Sequence, residues 1–186
     1  MYKKVIGFII CYFSICISVF ANTAMPQIQS EGAILIEPKT NTVLYGKNEH
    51  KKLYPASTTK ILTAMIVLEE LNQNSTLTKS QGSVNTVPAD SSHIGLAVGD
   101  SISVKDALYG LLVGSDNFIA HDLAIASKGS IDNFASRMNE KAKHYGALNT
   151  HFTNPHGYHD PNHYTTAYDL AQIERETFSV PALIKM

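Results

Sequence analysis

Between Ile61 and Leu71 the sequence places Ile61, Leu62, Met65, Leu68 and Leu71 at helical spacing, with Ala64 and Val67 between them. A stripe that broad cannot be covered from one side, so this helix is expected to be mostly buried with other elements packed around it. The material for such a core is present, because 44% of the 186 residues are apolar and only 17% are charged.

Ahead of this region, Lys3 and Lys4 precede an uncharged apolar run from Val5 to Phe20 that ends in Val19-Phe20-Ala21. Small residues at the two positions a signal peptidase inspects predict a secretory leader over residues 1–21, cleaved after Ala21; an uncleaved anchor is the other reading of the same run. Cys11 and Cys16 both lie in this leader, neither after a lipoprotein-like sequence. A protein starting at Asn22 would therefore have no disulfide and no cysteine chemistry. It would also keep 13 basic against 16 acidic residues, with no basic run suited to nucleic acid.

Gly32 to Glu37 and Thr42 to Tyr45 are β-rich runs joined by Pro38-Lys-Thr-Asn41, which predicts a hairpin. Residues 73–99 read as loops and short strands closed by the Gly99-Asp100 turn. Ser103 with Asp106 forms a capping box for a helix through Leu108, Leu111, Leu112 and Val113, expected to stop at Gly114. A further helix is expected from Phe118 to about Ser127, and Ser130 opens an amphipathic one with Phe134, Met138 and Ala142 inward, ending at Gly146. After a loop rich in His, Asn and Pro, Thr166 and Asp169 cap a last helix through Leu170 and Ile173.

Ser57-Thr-Thr-Lys60 puts a hydroxyl and an amine three residues apart on one helix face, the spacing of a nucleophile and its base. A lysine serves as that base only if its pKa falls, and the apolar helix supplies the required withdrawal from water. Pro55-Ala56 places the helix start at Ser57, whose N–H would be free to face a developing oxyanion. Ser115-Asp-Asn117, on a loop between helices, offers a second hydroxyl to relay a proton and an amide to hold substrate. Ser83-Val-Asn85 repeats that short pattern, so position in the chain distinguishes the two. His151, His156, His159 and His163 crowd one loop without metal-ligand spacing and read as turn and surface residues.

Taken in order, Pro55-Ala-Ser-Thr-Thr-Lys60, Ser115-Asp-Asn117 and Asn154-Pro-His-Gly157 resemble the serial signatures of low-molecular-mass serine D-alanyl-D-alanine carboxypeptidases, the penicillin-binding-protein type. The likeness spans nearly all of the chain after the leader. It implies an α/β (α+β) penicillin-binding-protein/β-lactamase-like fold with a helical subdomain, over residues 22–186. It also implies a catalytic set of Ser57, Lys60, Ser115 and Asn117. Ser57 would be acylated by the penultimate D-alanine, Lys60 would take its proton, Ser115 would pass one to the leaving D-alanine, and Asn117 would orient the peptide. The partners implied are peptidoglycan pentapeptides or muropeptides, with β-lactams as inhibitors. No cofactor or metal is required, no nucleic acid is involved, and no strong membrane anchor remains once the leader is removed. The location implied is periplasmic or extracytoplasmic.

The family's third signature, Lys-Thr-Gly on a strand after the helices, is absent; the nearest string is Ser127-Lys-Gly129. The sheet is therefore expected to be incomplete, the Gly32 to Tyr45 hairpin to lack its covering strands, and the oxyanion hole to lack one donor. Four readings stay open: carboxypeptidase, D,D-endopeptidase, β-lactamase, and an inactive fragment or muropeptide-binding remnant. The β-lactamase reading is opposed by the lack of any Glu between Glu140 and Glu174, where a deacylating glutamate belongs.

Overall fold

The computed structural model describes residues 27–185, so the leader expectation, including both cysteines, lies outside the described residues. β1 (Ala33–Glu37) and β2 (Thr42–Lys47) pair antiparallel as the expected hairpin. Asn41 takes the left-handed conformation in its turn (φ 58°), which asparagine tolerates better than most residues. A single 3-10 turn, Ala56–Thr58, leads into α1 (Thr59–Glu70). Next come β3 (Thr76–Thr78), α2 (Gln81–Thr86), β4 (Ser101–Ser103) paired antiparallel with β3, and α3 (Val104–Leu112). The chain continues through α4 (Asn117–Lys128), α5 (Ile131–His144), α6 (Ala167–Thr177) and the short α7 (Pro181–Ile184).

α1 is the centre of the molecule, with α3, α4, α5, α6 and α7 all packed against it. Its Leu62, Ala64, Met65, Ile66 and Val67 are almost completely buried, together with Leu108 and Leu111 of α3, Leu123 of α4, and Phe134 and Met138 of α5. This enclosure is why the α1 stripe is broad rather than one-sided. Truncating Phe134, which is fully buried at this junction, to alanine is expected to cost about 3–5 kcal/mol of stability, read as a lower denaturant midpoint with unchanged slope.

The helix starts follow the capping residues. Ser103, Ser130 and Thr166 accept from the N–H groups of Asp106, Asn133 and Asp169 at 3.0, 3.1 and 3.0 Å. α2, inside the stretch expected to be loops and short strands, is a correction. Its cap is Ser80, which accepts from Ser83 N–H at 3.0 Å, but Gln81–Thr86 has no apolar period by which to recognise a helix.

A second correction concerns the end of α3. The helix stops at Leu112, and the left-handed residue beyond it is Ser115 (φ 54°), not Gly114. Gly114 is needed for space instead: a Cβ there would lie 2.4 Å from Ile94 Cγ2 and 2.8 Å from the Gly110 carbonyl.

Among the described residues the β1–β2 hairpin pairs with no third strand. It packs on α6, and a groove of about 650 Å³ lies between β1, α6 and α7, lined largely by apolar side chains such as Ile34, Ile36, Leu170, Phe178 and Leu183. No described helix is long and apolar enough to cross a membrane.

Candidate active site

Three segments converge at the N-terminus of α1: the turn carrying Ser57, the loop from α3 into α4, and the loop between α5 and α6. Ser57 Oγ lies 3.1 Å from Lys60 Nζ and 2.8 Å from Ser115 Oγ. The helical three-residue spacing makes the first contact local; the second joins residues 58 apart in sequence. Ser57 sits in the first helical turn, where its N–H has no intrahelical acceptor.

Lys60 is 2% exposed, one of the most deeply buried polar residues of the protein. Its amine donates to the His156 carbonyl at 2.7 Å, and one turn further along α1 Thr63 Oγ1 donates to the Pro155 carbonyl at 2.7 Å. The polar face of α1 is thus docked on the 154–157 loop. Burial pushes the Lys60 amine down from 10.5 to about 8, against the opposing pull of the Asp116 carboxylate. With one N–H held by the His156 carbonyl, a neutral amine is oriented toward the Ser57 hydroxyl.

The neighbouring imidazoles are removed from the titration. His156 is lowered to about 3, first by burial and then by the charges of Lys60, His121 and His163; its Nδ1 accepts from Tyr158 N–H at 3.1 Å. His163 is lowered to about 4 by burial and bridges Thr59 Oγ1 at 2.9 Å and Thr153 N–H at 3.1 Å. With the roles the resemblance implies for Ser57 and Lys60, acylation of Ser57 is expected to rise about tenfold per pH unit up to pH 8 and then level off, the neutral amine being the form able to take a proton. The profile is measured as the second-order rate of labelling by a fluorescent penicillin, and a midpoint above 10 would remove Lys60 as the base. The linked effect on stability has the same sign. Holding a charged Lys60 inside is unfavourable below pH 8, and the penalty is relieved as pH climbs from 8 toward 10.5.

Asp116, only the middle letter of the Ser-Asp-Asn motif in the sequence, organises the second loop. It is fully buried and accepts from Ile119 N–H and Ile94 N–H, both at 2.9 Å, capping α4 and tying down the 90s loop at once. Asn117 is the first residue of α4 rather than a free loop residue, and its N–H donates to the Ser92 carbonyl at 3.0 Å. The duplicate Ser83-Val-Asn85 pattern lies on α2; Ser83 Oγ donates to the Asp122 carboxylate at 2.9 Å.

Asn154-Pro-His-Gly157 packs against the turn that carries Ser57. Asn154 Oδ1 accepts from His156 N–H at 3.2 Å and from Gly157 N–H at 2.7 Å, which closes the loop on itself. Gly157 (φ 81°) then presses on the Ala56 backbone so closely that an added Cβ would sit 1.8 Å from the Ala56 carbonyl oxygen. Ala56 is itself left-handed (φ 49°), a strained conformation immediately before Ser57. Sequence reasoning missed this strain and the His156 carbonyl, and the glycine after Asn-Pro-His was the available signal. Among the described residues no group of three or more His, Cys, Asp and Glu is arranged to hold a metal ion.

The family model described as D-alanyl-D-alanine carboxypeptidase matches residues 19–183. The chain belongs to this family. Its relatives include the D-alanyl-D-alanine carboxypeptidase DacF of Bacillus subtilis, 35% identical over 159 residues, or 84% of this chain and 41% of that protein. The D-alanyl-D-alanine carboxypeptidase DacA of Haemophilus influenzae is 33% identical over 80% of this chain and 39% of its own length.

Among solved structures, penicillin binding protein 5 of Haemophilus influenzae superposes with a TM-score of 0.77 at 31% identity, covering 84% of this chain and 47% of that one. A variant of the Streptomyces K15 DD-transpeptidase gives 0.80 at 31% identity, covering 84% and 64%. The fold is thus the α+β fold of penicillin-binding proteins, and the chain spans about two fifths of the length of the two carboxypeptidases named above.

Proposed function

We propose that this carboxypeptidase-family chain performs serine acyl transfer on the D-alanyl-D-alanine end of peptidoglycan stem peptides, and that β-lactams acylate the same serine. The observation that carries the reading is the three-way contact of Ser57 with the desolvated Lys60 amine and with Ser115. At pH 7 about a tenth of an amine of pKa 8 is neutral, several hundred times more than for an ordinary lysine.

In the proposed reaction Lys60 accepts the Ser57 proton as Oγ attacks the carbonyl carbon of the penultimate D-alanine. The oxyanion forms against the Ser57 N–H. As the C–N bond breaks, Ser115 Oγ hands a proton to the departing D-alanine nitrogen and is reprotonated from Lys60, leaving an acyl-serine that water hydrolyses. Asn117 is assigned to hold the peptide backbone in line for attack. The substrate lies outside the cytoplasm, which agrees with residues 1–21 acting as an export leader and with a periplasmic or extracytoplasmic site of action.

The test is covalent labelling of the full chain by a fluorescent penicillin, followed by peptide mapping. Label on the peptide containing Ser57, lost in Ser57→Ala, is the expected result. A correctly folded protein that takes up no label, or takes it elsewhere, overturns the assignment. Release of free D-alanine from a pentapeptide then separates carboxypeptidase from endopeptidase action.

A further inference from the structure

Lys79 occupies a position that the mechanism above does not use. It follows β3 directly and is only 9% exposed, yet among the described residues its ammonium makes no hydrogen bond and has no carboxylate within 4 Å. Its one partner is the ring of Phe118, with Nζ 4.3 Å from the centroid. Two carboxylates on segments bonded to the Lys79 stretch are otherwise engaged: Asp122 accepts from Ser80 and Ser83, and Asp100 from the Ala97 N–H. The Nζ atom itself keeps contact with solvent, so its three donors are open to a ligand while the stem is held against the Phe118 ring.

The position is built rather than accidental. Lys79 N–H donates to the Asp100 carbonyl at 2.9 Å, its own carbonyl accepts from Gly99 at 3.0 Å, and the next residue, Ser80, is tied to Asp122 of α4. Its side chain enters a pocket of about 240 Å³ whose other walls include Val84, Ala89, His93, Leu96 and Phe118. Such a lining, apolar along its length with one cation, is complementary to a short aliphatic stem ending in a negative charge.

The pocket is connected to the candidate active site through the chain. Phe118 is the chain neighbour of Asn117, and His93, edge-on to Phe118 at 6.0 Å between ring centroids, is the neighbour of Ser92, the residue whose carbonyl holds Asn117 N–H. Two of its walls are therefore each one residue, about 3.8 Å of backbone, from the Ser92–Asn117 hydrogen bond.

We propose that the Lys79–His93–Phe118 pocket is a carboxylate-binding subsite for the acyl donor, receiving an acidic side chain of the peptide upstream of the scissile bond. The assignment rests on the serine acyl-transfer reading for the identity of the ligand. It is tested without chemistry, by equilibrium binding of two D-alanyl-D-alanine peptides to the full chain carrying Ser57→Ala. One peptide bears a side-chain carboxylate upstream and the other the matching carboxamide.

The carboxylate peptide is expected to bind about tenfold more tightly, the value of a charge-assisted hydrogen bond in a half-open site, and to shift the His93 ring resonances, while the carboxamide does neither. Lys79→Met should erase the preference, and Lys79→Arg should retain it. Equal binding of the two peptides, or a preference that survives Lys79→Met, overturns the subsite. The His93 shift keeps the question decidable should Lys79→Met not fold. A carboxylate preference in a protein whose Ser57 is never labelled by penicillin would uphold the subsite while sinking the acyl-transfer reading; labelling without the preference would do the reverse.

Discussion

Lys60→Met is expected to slow acylation of Ser57 by penicillin about 10³-fold, within the range of 10²–10⁴ that a positioned general base supplies. Methionine matches the lysine stem in length and suits the apolar surroundings, so the buried charge disappears without opening a cavity. What is lost is the donor to the His156 carbonyl, a change of about 1–3 kcal/mol that is offset by no longer burying an ammonium. The melting temperature should therefore change little while labelling collapses, and that dissociation is the diagnostic. Lys60→Arg should be as poor, because a guanidinium stays protonated throughout the accessible pH range. Either variant labelling within tenfold of the native rate would remove Lys60 from the base role.

Gly157→Ala is expected to be nearly as damaging by a different route. The new methyl would have to occupy space 1.8 Å from the Ala56 carbonyl oxygen and 2.9 Å from Thr59 Oγ1, at a backbone φ of 81° that disfavours any side chain. Neither contact ends in a flexible tip, so the loop and the Ala56–Ser57 turn must separate. A displacement of about 1 Å at the nucleophile is enough to lower acylation by about 10²-fold. Stability should fall as well, by at least about 2 kcal/mol, since strain is added beside the already left-handed Ala56.

Gly129→Ala provides the control. It has a similar φ of 75° at the end of α4 but nothing within 4 Å of its added methyl. It should cost about 1 kcal/mol and leave the labelling rate untouched. If Gly157→Ala behaved like Gly129→Ala, the 154–157 loop would not be positioning the nucleophile.

Much of this architecture is written locally. The α1 stripe, the Ser103, Ser130 and Thr166 caps, the glycine end at Gly146, and the Ser57-to-Lys60 spacing all act within about one helical turn, so each is visible without knowing what packs against it. α2 escaped because a six-residue helix capped by Ser80 takes its support from Asp122 of α4, 42 residues away, rather than from its own periodicity.

The same division runs through the site. The sequence by itself determined which residues carry the hydroxyls and the amine, because their chemistry and their helical spacing are properties of the chain. Only the tertiary structure decided that Ser115 meets Ser57, that the His156 carbonyl orients Lys60, and that Gly157 holds Ala56 in a strained turn. It also decided that Lys79 faces a pocket without a carboxylate partner. The reason is that desolvation, close contact and backbone strain belong to surfaces brought together from distant parts of the chain, and none of them exists until those surfaces meet.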